Sequence, residues 1–147
     1  MNDRYLYKAK RKHDSKFFKK GEWVDGAYYI EPYTDKRFII QWNSTGLGFN
    51  EFIEVDEESV CQCTGLKDKN GNLIWENDVV KATVRQNSLC QSSSYSDFYQ
   101  VAYHENNCYF YLKKKNNNLL FDGNWSYYIK NIEVIGNIFD NPELINE

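Results

Sequence analysis

The sequence predicts a mainly β fold of twisted antiparallel sheets or small barrel-like units built from hairpins, with few short helices; a small α+β arrangement is the alternative. Three observations predict it. Aromatic residues (4 Trp, 12 Tyr and 9 Phe) form 17% of the chain, and with β-branched residues they recur in short runs separated by turn residues. The dipeptides Asp25-Gly26 and Asn70-Gly71 suit the positive φ values that tight hairpin turns demand. Helix signals are poor. The best is Asn141-Pro142-Glu143-Leu144-Ile145, where Asn141 would cap a short terminal helix and Pro142 would fill its first position.

Each element follows from residue type and spacing. Tyr5 to Lys10 reads as a first strand. Glu22-Trp23-Val24 and Ala27 to Ile30 flank Asp25-Gly26 as the arms of a hairpin. Pro32 stops regular pairing, and Arg37 to Trp42 begins the next strand. Asn43 to Gly46 is a loop. Phe52 to Val55 reads as a strand that runs into an acidic turn, Asp56-Glu57-Glu58. Asn70-Gly71, in a type I′ turn, joins a charged arm to the apolar run Leu73-Ile74-Trp75. Glu76-Asn77-Asp78 then turns the chain into a strand from Val79 to Val84. Gln86 to Asp97, rich in Ser and Gln, reads as a mobile loop. Later strands are expected from Phe98 to Tyr103, Tyr109 to Leu112 and Tyr127 to Ile138, with turns at Asn116-Asn117-Asn118 and Asp122-Gly123-Asn124.

Length and charge bound the function. The 147 residues suit one domain, or two lobes at 1–58 and 59–147 with the join near residues 56–64. A domain of this size buries roughly two thirds of its unfolded surface. No apolar run approaches the roughly 18 residues of a membrane-spanning helix. The polar, basic start has no apolar signal region, so a cytoplasmic protein without membrane contact is expected. The net charge of −3 conceals a segregation: residues 1–20 hold eight Lys/Arg and two acids, and residues 21–60 hold two and nine. The basic arm either meets phosphate-rich partners or lies against the acidic segment 51–58, in one subunit or across a subunit contact.

The usual catalytic groupings are missing. Cys61 and Cys63, two apart on a strand, share a face, while Cys90 and Cys108 stand alone and His13 and His104 are isolated. Small buried thiols are therefore expected, with no metal and no cofactor. Glu54 to Glu58 is too dense in acids to be buried and reads as a solvated acidic edge. Glu76 and Asp78 read as turn residues. Lys113-Lys114-Lys115 reads as an exposed strand end that blocks edge pairing. No nucleophile elbow, phosphate-binding glycine loop or metalloprotease helix is present, so no catalytic residue is assigned and no enzyme is expected.

Binding has better support. Tyr5, Tyr7, Phe17, Phe18 and Trp23 are interleaved with Arg4, Lys8, Lys10, Arg11, Lys12, Lys16, Lys19 and Lys20. Bases stack on aromatic rings for about 1–3 kcal/mol each, and cations attract the phosphates. The residues singled out are Lys8, Lys10, Arg11, Lys12, Trp23, Tyr28, Trp42 and Arg85. The competing reading makes these aromatics the core of the first sheet, with the lysines facing water.

Three separated motifs also carry a family resemblance. Lys10-Arg11-Lys12-His13-Asp14 leads to Gly21-Glu22-Trp23-Val24-Asp25-Gly26. Glu54-Val55-Asp56-Glu57-Glu58-Ser59-Val60 precedes Thr64-Gly65-Leu66-Lys67-Asp68-Lys69-Asn70-Gly71. Near the end stands Glu133-Val134-Ile135-Gly136-Asn137-Ile138-Phe139-Asp140-Asn141-Pro142-Glu143-Leu144. Together, nearly end to end, these resemble the YopX family of phage and prophage proteins. Two departures are visible: Cys63 stands where an aromatic is usual, and Asn77 where Gly is usual. Asn tolerates positive φ, so that turn should survive. The resemblance implies a virus or mobile element of a low-GC bacterium and a multimer, and it implies no established chemistry. The expectation is a phage-encoded, non-enzymatic binding protein of the host cytoplasm, forming a homo-oligomer. In a counter-defence form it would sequester a nucleotide signal or block a host protein. The alternative is a small nucleic-acid-binding regulator that acts through the basic arm.

Overall fold

The computed structural model describes residues 3–41, 50–88, 91–114, 119–122 and 129–146, with side chains outside 84–92, 119–122 and 129–130. The chain divides into two compact units, Met1–Cys63 and Thr64–Glu147. Two antiparallel sheets make up the fold, and helix among the described residues is limited to 3-10 turns at Asp3–Tyr5, Glu57–Ser59 and Pro142–Ile145. The expected mainly β class is what forms. Among these residues no helix is long and apolar enough to cross a membrane.

The first unit contains strands β1 (Tyr7–Lys10), β2 (Trp23–Ile30), β3 (Arg37–Gln41), β4 (Glu51–Glu54) and the start of β5 (Cys61–Lys67). They bond in the order β4-β3-β2-β1-β5. Alternation puts every second residue on one side of a strand. Ala9 lies opposite Val24, Tyr28 opposite Ile39, and Ile39 opposite Ile53. These inward residues, with Val55, form a core against which Tyr7, Tyr28 and Val60 pack. Burying each Val or Ile contributes roughly 1.5–3 kcal/mol. Beyond β4 the sheet curls round: Arg11 and Val55 form an antiparallel bridge. The Lys12 amide donates to the Glu54 carbonyl (3.1 Å), and the Asp56 amide to the Lys10 carbonyl (2.9 Å). The first unit is thus barrel-like, closed at one end by the segments that follow β1 and β4.

Two expectations fail here. Tyr5 belongs to a 3-10 turn, so the first strand starts at Tyr7. Asp25-Gly26 is no turn, because β2 runs unbroken through it, with Gly26 opposite Tyr7 on one side and Ala27 opposite Ile40 on the other. Gly26 is needed for room: a Cβ there would stand 2.3 Å from the Ile40 carbonyl oxygen. The β1–β2 connection is instead the segment 11–22, where Gly21 takes φ +87°. Trp42 and the loop Asn43 to Gly46 lie outside the described residues.

The second unit takes the end of β5 and then β6 (Leu73–Trp75), which continues the β5 sheet. The remaining strands are β7 (Asp78–Ser88), β8 (Gln91–His104), β9 (Tyr109–Lys113), β10 (Leu119–Asp122) and β11 (Ile129–Asn137), in the order β10-β9-β8-β7-β11. Ile74, Val80, Ala82, Tyr99, Val101 and Leu112 are fully buried and form its core. The segment 86–97, expected as a loop, pairs as strand over its described residues, from Gln86 opposite Ser93 to Ser88 opposite Gln91. The register set by buried Val80 and Tyr99 propagates outward, and cross-strand hydroxyls such as Thr83 and Ser96 (2.8 Å) hold it. Lys113 lies on no edge, because β9 pairs with both β8 and β10. Lys114 forms an ion pair with Asp97. Cys61 and Cys63 are buried as expected, but Cys108 is exposed in the β8–β9 turn at φ +55°.

The turn at residues 68–72 is organised by Asp68, which is buried. Its Oδ1 accepts the amides of Asn70 and Asn72 (both 2.9 Å), and its Oδ2 accepts the amide of Val134 on β11 (3.0 Å). Only Gly71 in this turn has positive φ, so it is not the expected type I′ turn. An Asx-type loop around the carboxylate replaces it. Asn77 does take positive φ (67°), as its residue type allows. Asp78, buried, accepts the Trp75 amide at 2.8 Å, so the Glu76–Asp78 region is a backbone device. At the chain end Pro142 begins a 3-10 turn, but Asn141 makes no side-chain cap. Its Oδ1 lies 2.4 Å from where a Cβ on Gly136 would be, so the two residues demand each other.

Two outcomes test this packing. Gly26→Ala should destabilise the protein by about 1–3 kcal/mol, read from the denaturation midpoint, because backbone must shift. Burial alone would raise the Asp68 carboxyl, but amide donation from Val134, Asn72 and Asn70 outweighs it and holds the group below the ordinary 3.8. A depressed folded-state value means stability that is complete at neutral pH and fades as pH falls below 3.8 through the folded value. Asp68→Asn should therefore cost about 1–3 kcal/mol at pH 7. It should also flatten the acid limb of the stability–pH curve.

Candidate functional site

The outward side of the first unit follows from the same alternation that builds its core. Opposite Ala9 and Val24 stand Lys8, Lys10 and Trp23, and the register places Trp23 beside Lys10. The Lys8 and Lys10 ammonium groups lie 5.0 and 5.3 Å from the Trp23 ring centre. Such contacts contribute about 0.5–1 kcal/mol when exposed. Farther along the same side, Tyr29 pairs with Phe38, and Phe38 with Glu54, while Ile40 pairs with Phe52. Tyr29, Phe38 and Phe52 form a triad with centroids 6.2–6.4 Å apart. Phe52 is 57% exposed and Tyr29 40%. This is apolar surface left in water by a sheet whose other side already has a core.

The charged segments meet within the one chain. Glu54 lies 3.5 Å from the Lys12 ammonium and 3.0 Å from His13 Nε2. Burial would raise the Glu54 carboxyl, but the His13 hydrogen bond and the charges of Lys36 and Lys12 hold it below its ordinary value. Arg37 bonds Asp35 (2.7 Å) and Glu57 (3.2 Å). Part of the basic arm is therefore neutralised by the acidic segment, in one subunit.

The structure scatters the residues singled out from sequence. It brings Lys8, Lys10 and Trp23 together on the outward side. Tyr28 faces the core, 5.1 Å from the Tyr7 ring, and burial pushes its hydroxyl up. Arg11 is buried against Phe18, and Lys12 pairs with Glu54. Arg85 is on β7, in the second unit, and its side chain, like Trp42, lies outside the described residues. Sequence reasoning missed Tyr29, Phe38 and Phe52. β2, β3 and β4 carry apolar residues on both sides, so alternation could not tell the exposed rings from the buried ones. The charged sequence neighbours Arg37 and Glu51 point, by alternation, to burial of Phe38 and Phe52, so no local signal marked these rings as outward.

Comparison with known proteins follows the fold. The family model described as YopX protein matches residues 7–146. The chain belongs to the YopX family. A crystal structure of protein EF1440 from Enterococcus faecalis is similar at TM-score 0.51 and 22% identity, covering 97% of each chain. At that identity the likeness shows a shared fold. A search of the curated proteins finds no match. Within the motifs that carry the YopX resemblance, Asp68 organises a turn, Gly26 lies under a carbonyl and Gly136 packs against Asn141.

Glu54→Gln frees Lys12 and His13. The pair is partly exposed, so the cost should stay under about 1 kcal/mol. Elution from a polyanion column should move to higher salt, because the Lys12 ammonium loses its internal counter-charge.

Proposed function

We propose that the protein is a phage-encoded, non-enzymatic binding protein of the host bacterial cytoplasm, working as a homo-oligomer. Its contact surface is the outward side of the first unit. The observation that carries this reading is the aromatic triad Tyr29, Phe38 and Phe52, in which Tyr29 and Phe52 are exposed and Phe38 is half-buried. Contiguous aromatic surface of this kind is enriched where proteins meet partners. The neighbouring Trp23, flanked by Lys8 and Lys10, supplies a ring for a base and two cations for phosphate. In its counter-defence form the partner is a host protein or a nucleotide signal held out of circulation. The absence of a catalytic grouping in the sequence supports binding over turnover.

A second reading, nucleic-acid regulation through the basic arm, is favoured by one observation. Lys16, Lys19 and Lys20 remain exposed beside Phe17 although Lys12 and His13 are engaged with Glu54.

Calorimetry against cyclic and ADP-ribose-type nucleotides tests the nucleotide form. Heat is expected for at least one ligand, and Trp23→Ala should abolish it. Flat heats across the panel sink that form. For the surface itself, Phe52→Lys should leave stability within about 0.5 kcal/mol. Sedimentation should then show a smaller particle than wild type; an unchanged particle removes the triad as the oligomer contact.

A further inference from the structure

Arg11 is 6% exposed, and among the described residues its Nε has no hydrogen-bond partner. No ion pair reaches it among those residues either. The group lying against its guanidinium is the Phe18 ring, 4.1 Å away. The contrast with Arg37 is informative, because there the same unit supplies two carboxylates. A buried charge without a counter-charge is unfavourable in the free protein, and an anion is the natural complement. Stacking covers a face of the guanidinium, and the parallel N–H groups on the edge of such a group are the part that matches a phosphate.

The segment between β1 and β2 is a built platform around this group. The Ser15 amide donates to the Phe18 carbonyl (2.8 Å), and the Phe18 amide to Ser15 Oγ (3.2 Å). The Lys20 amide donates to Asp14 Oδ1 (2.8 Å), and the Gly21 amide to the Arg11 carbonyl (2.9 Å). These bonds hold Phe17 79% exposed, with the Lys16 ammonium 5.3 Å from its ring. Lys19 and Lys20 are exposed beside it.

We infer that Arg11 is the deep phosphate contact of a single-stranded nucleic acid, whose bases stack on Phe17 and whose neighbouring phosphates meet Lys16, Lys19 and Lys20. This rests on the second reading above and names its partner and its anchor. Cations spread along a loop suit repeated phosphates better than a single one. An exposed ring needs an unpaired base face, which a duplex does not offer.

The test uses the full chain and oligothymidylate, followed by fluorescence anisotropy across a salt series. Arg11→Met should weaken binding about 10-fold and reduce the salt slope by roughly 0.7, the value for one lost single-strand phosphate contact. Its melting temperature should not fall, because an unpaired buried charge has been removed. Phe17→Ala, at an exposed position, should weaken binding with stability unchanged. On wild-type protein, the Arg11 Nε–H resonance should shift on titration with oligothymidylate. If Arg11→Met binds like wild type, or the resonance stays still while binding occurs, Arg11 is no anchor and the second reading survives on its lysines. No binding by wild type overturns both. An equal resonance shift from thymidine monophosphate at the same phosphate concentration overturns the single-strand assignment.

Discussion

The first unit depends on one pairing, between the segment that leaves β1 and the segment that leaves β4. Lys10, Arg11 and Lys12 on one side meet Glu54, Val55 and Asp56 on the other. Without it, β4 would be an open edge and the core would stop at Ile53. With it, Val55 joins the core and Ser59 reaches the Lys10 amide (2.8 Å). The same pairing decides the electrostatics. The most basic and most acidic parts of the chain are brought into contact by backbone register, and Glu54 then holds the Lys12 ammonium and a hydrogen bond with His13. Part of the charge segregation along the sequence, Lys12 with Glu54, is therefore an internal complement. In the β1–β2 segment Lys16, Lys19 and Lys20 are exposed, and Arg11 is buried with no ion pair among the described residues.

A second constraint governs the second unit. Asp68 cannot reach water freely, so it must collect hydrogen bonds, and it collects them from its own turn and from β11. Residues far apart in sequence are thereby held in register by one carboxylate. The family motif around it is conspicuous because a buried acid, a positive-φ glycine and short polar side chains are all needed together.

The mainly β class was legible because aromatic and β-branched runs with turn residues between them have few other solutions. The location of the 68–72 turn was legible too, but its type was not. Asn70-Gly71 is compatible with several turns, and the choice fell to the Asp68 carboxylate. Asp25-Gly26 misled for a related reason. Glycine serves both positive φ and close approach, and only the neighbouring β3 backbone showed which was wanted. The Ser- and Gln-rich strands of the β7–β8 hairpin were illegible because backbone pairing, rather than side-chain pattern, extends them.

By itself the sequence determined the fold class, the family and the concentration of aromatics and cations near the start. Those are properties of composition and local spacing. Tertiary structure alone decided which aromatics are buried and which are presented, that Tyr28 turns inward while Tyr29 turns out, and that Lys12 is neutralised while Arg11 is not. The physical reason is that a strand apolar on both sides leaves alternation without information. The face that finds a core is then chosen by neighbours the sequence does not name.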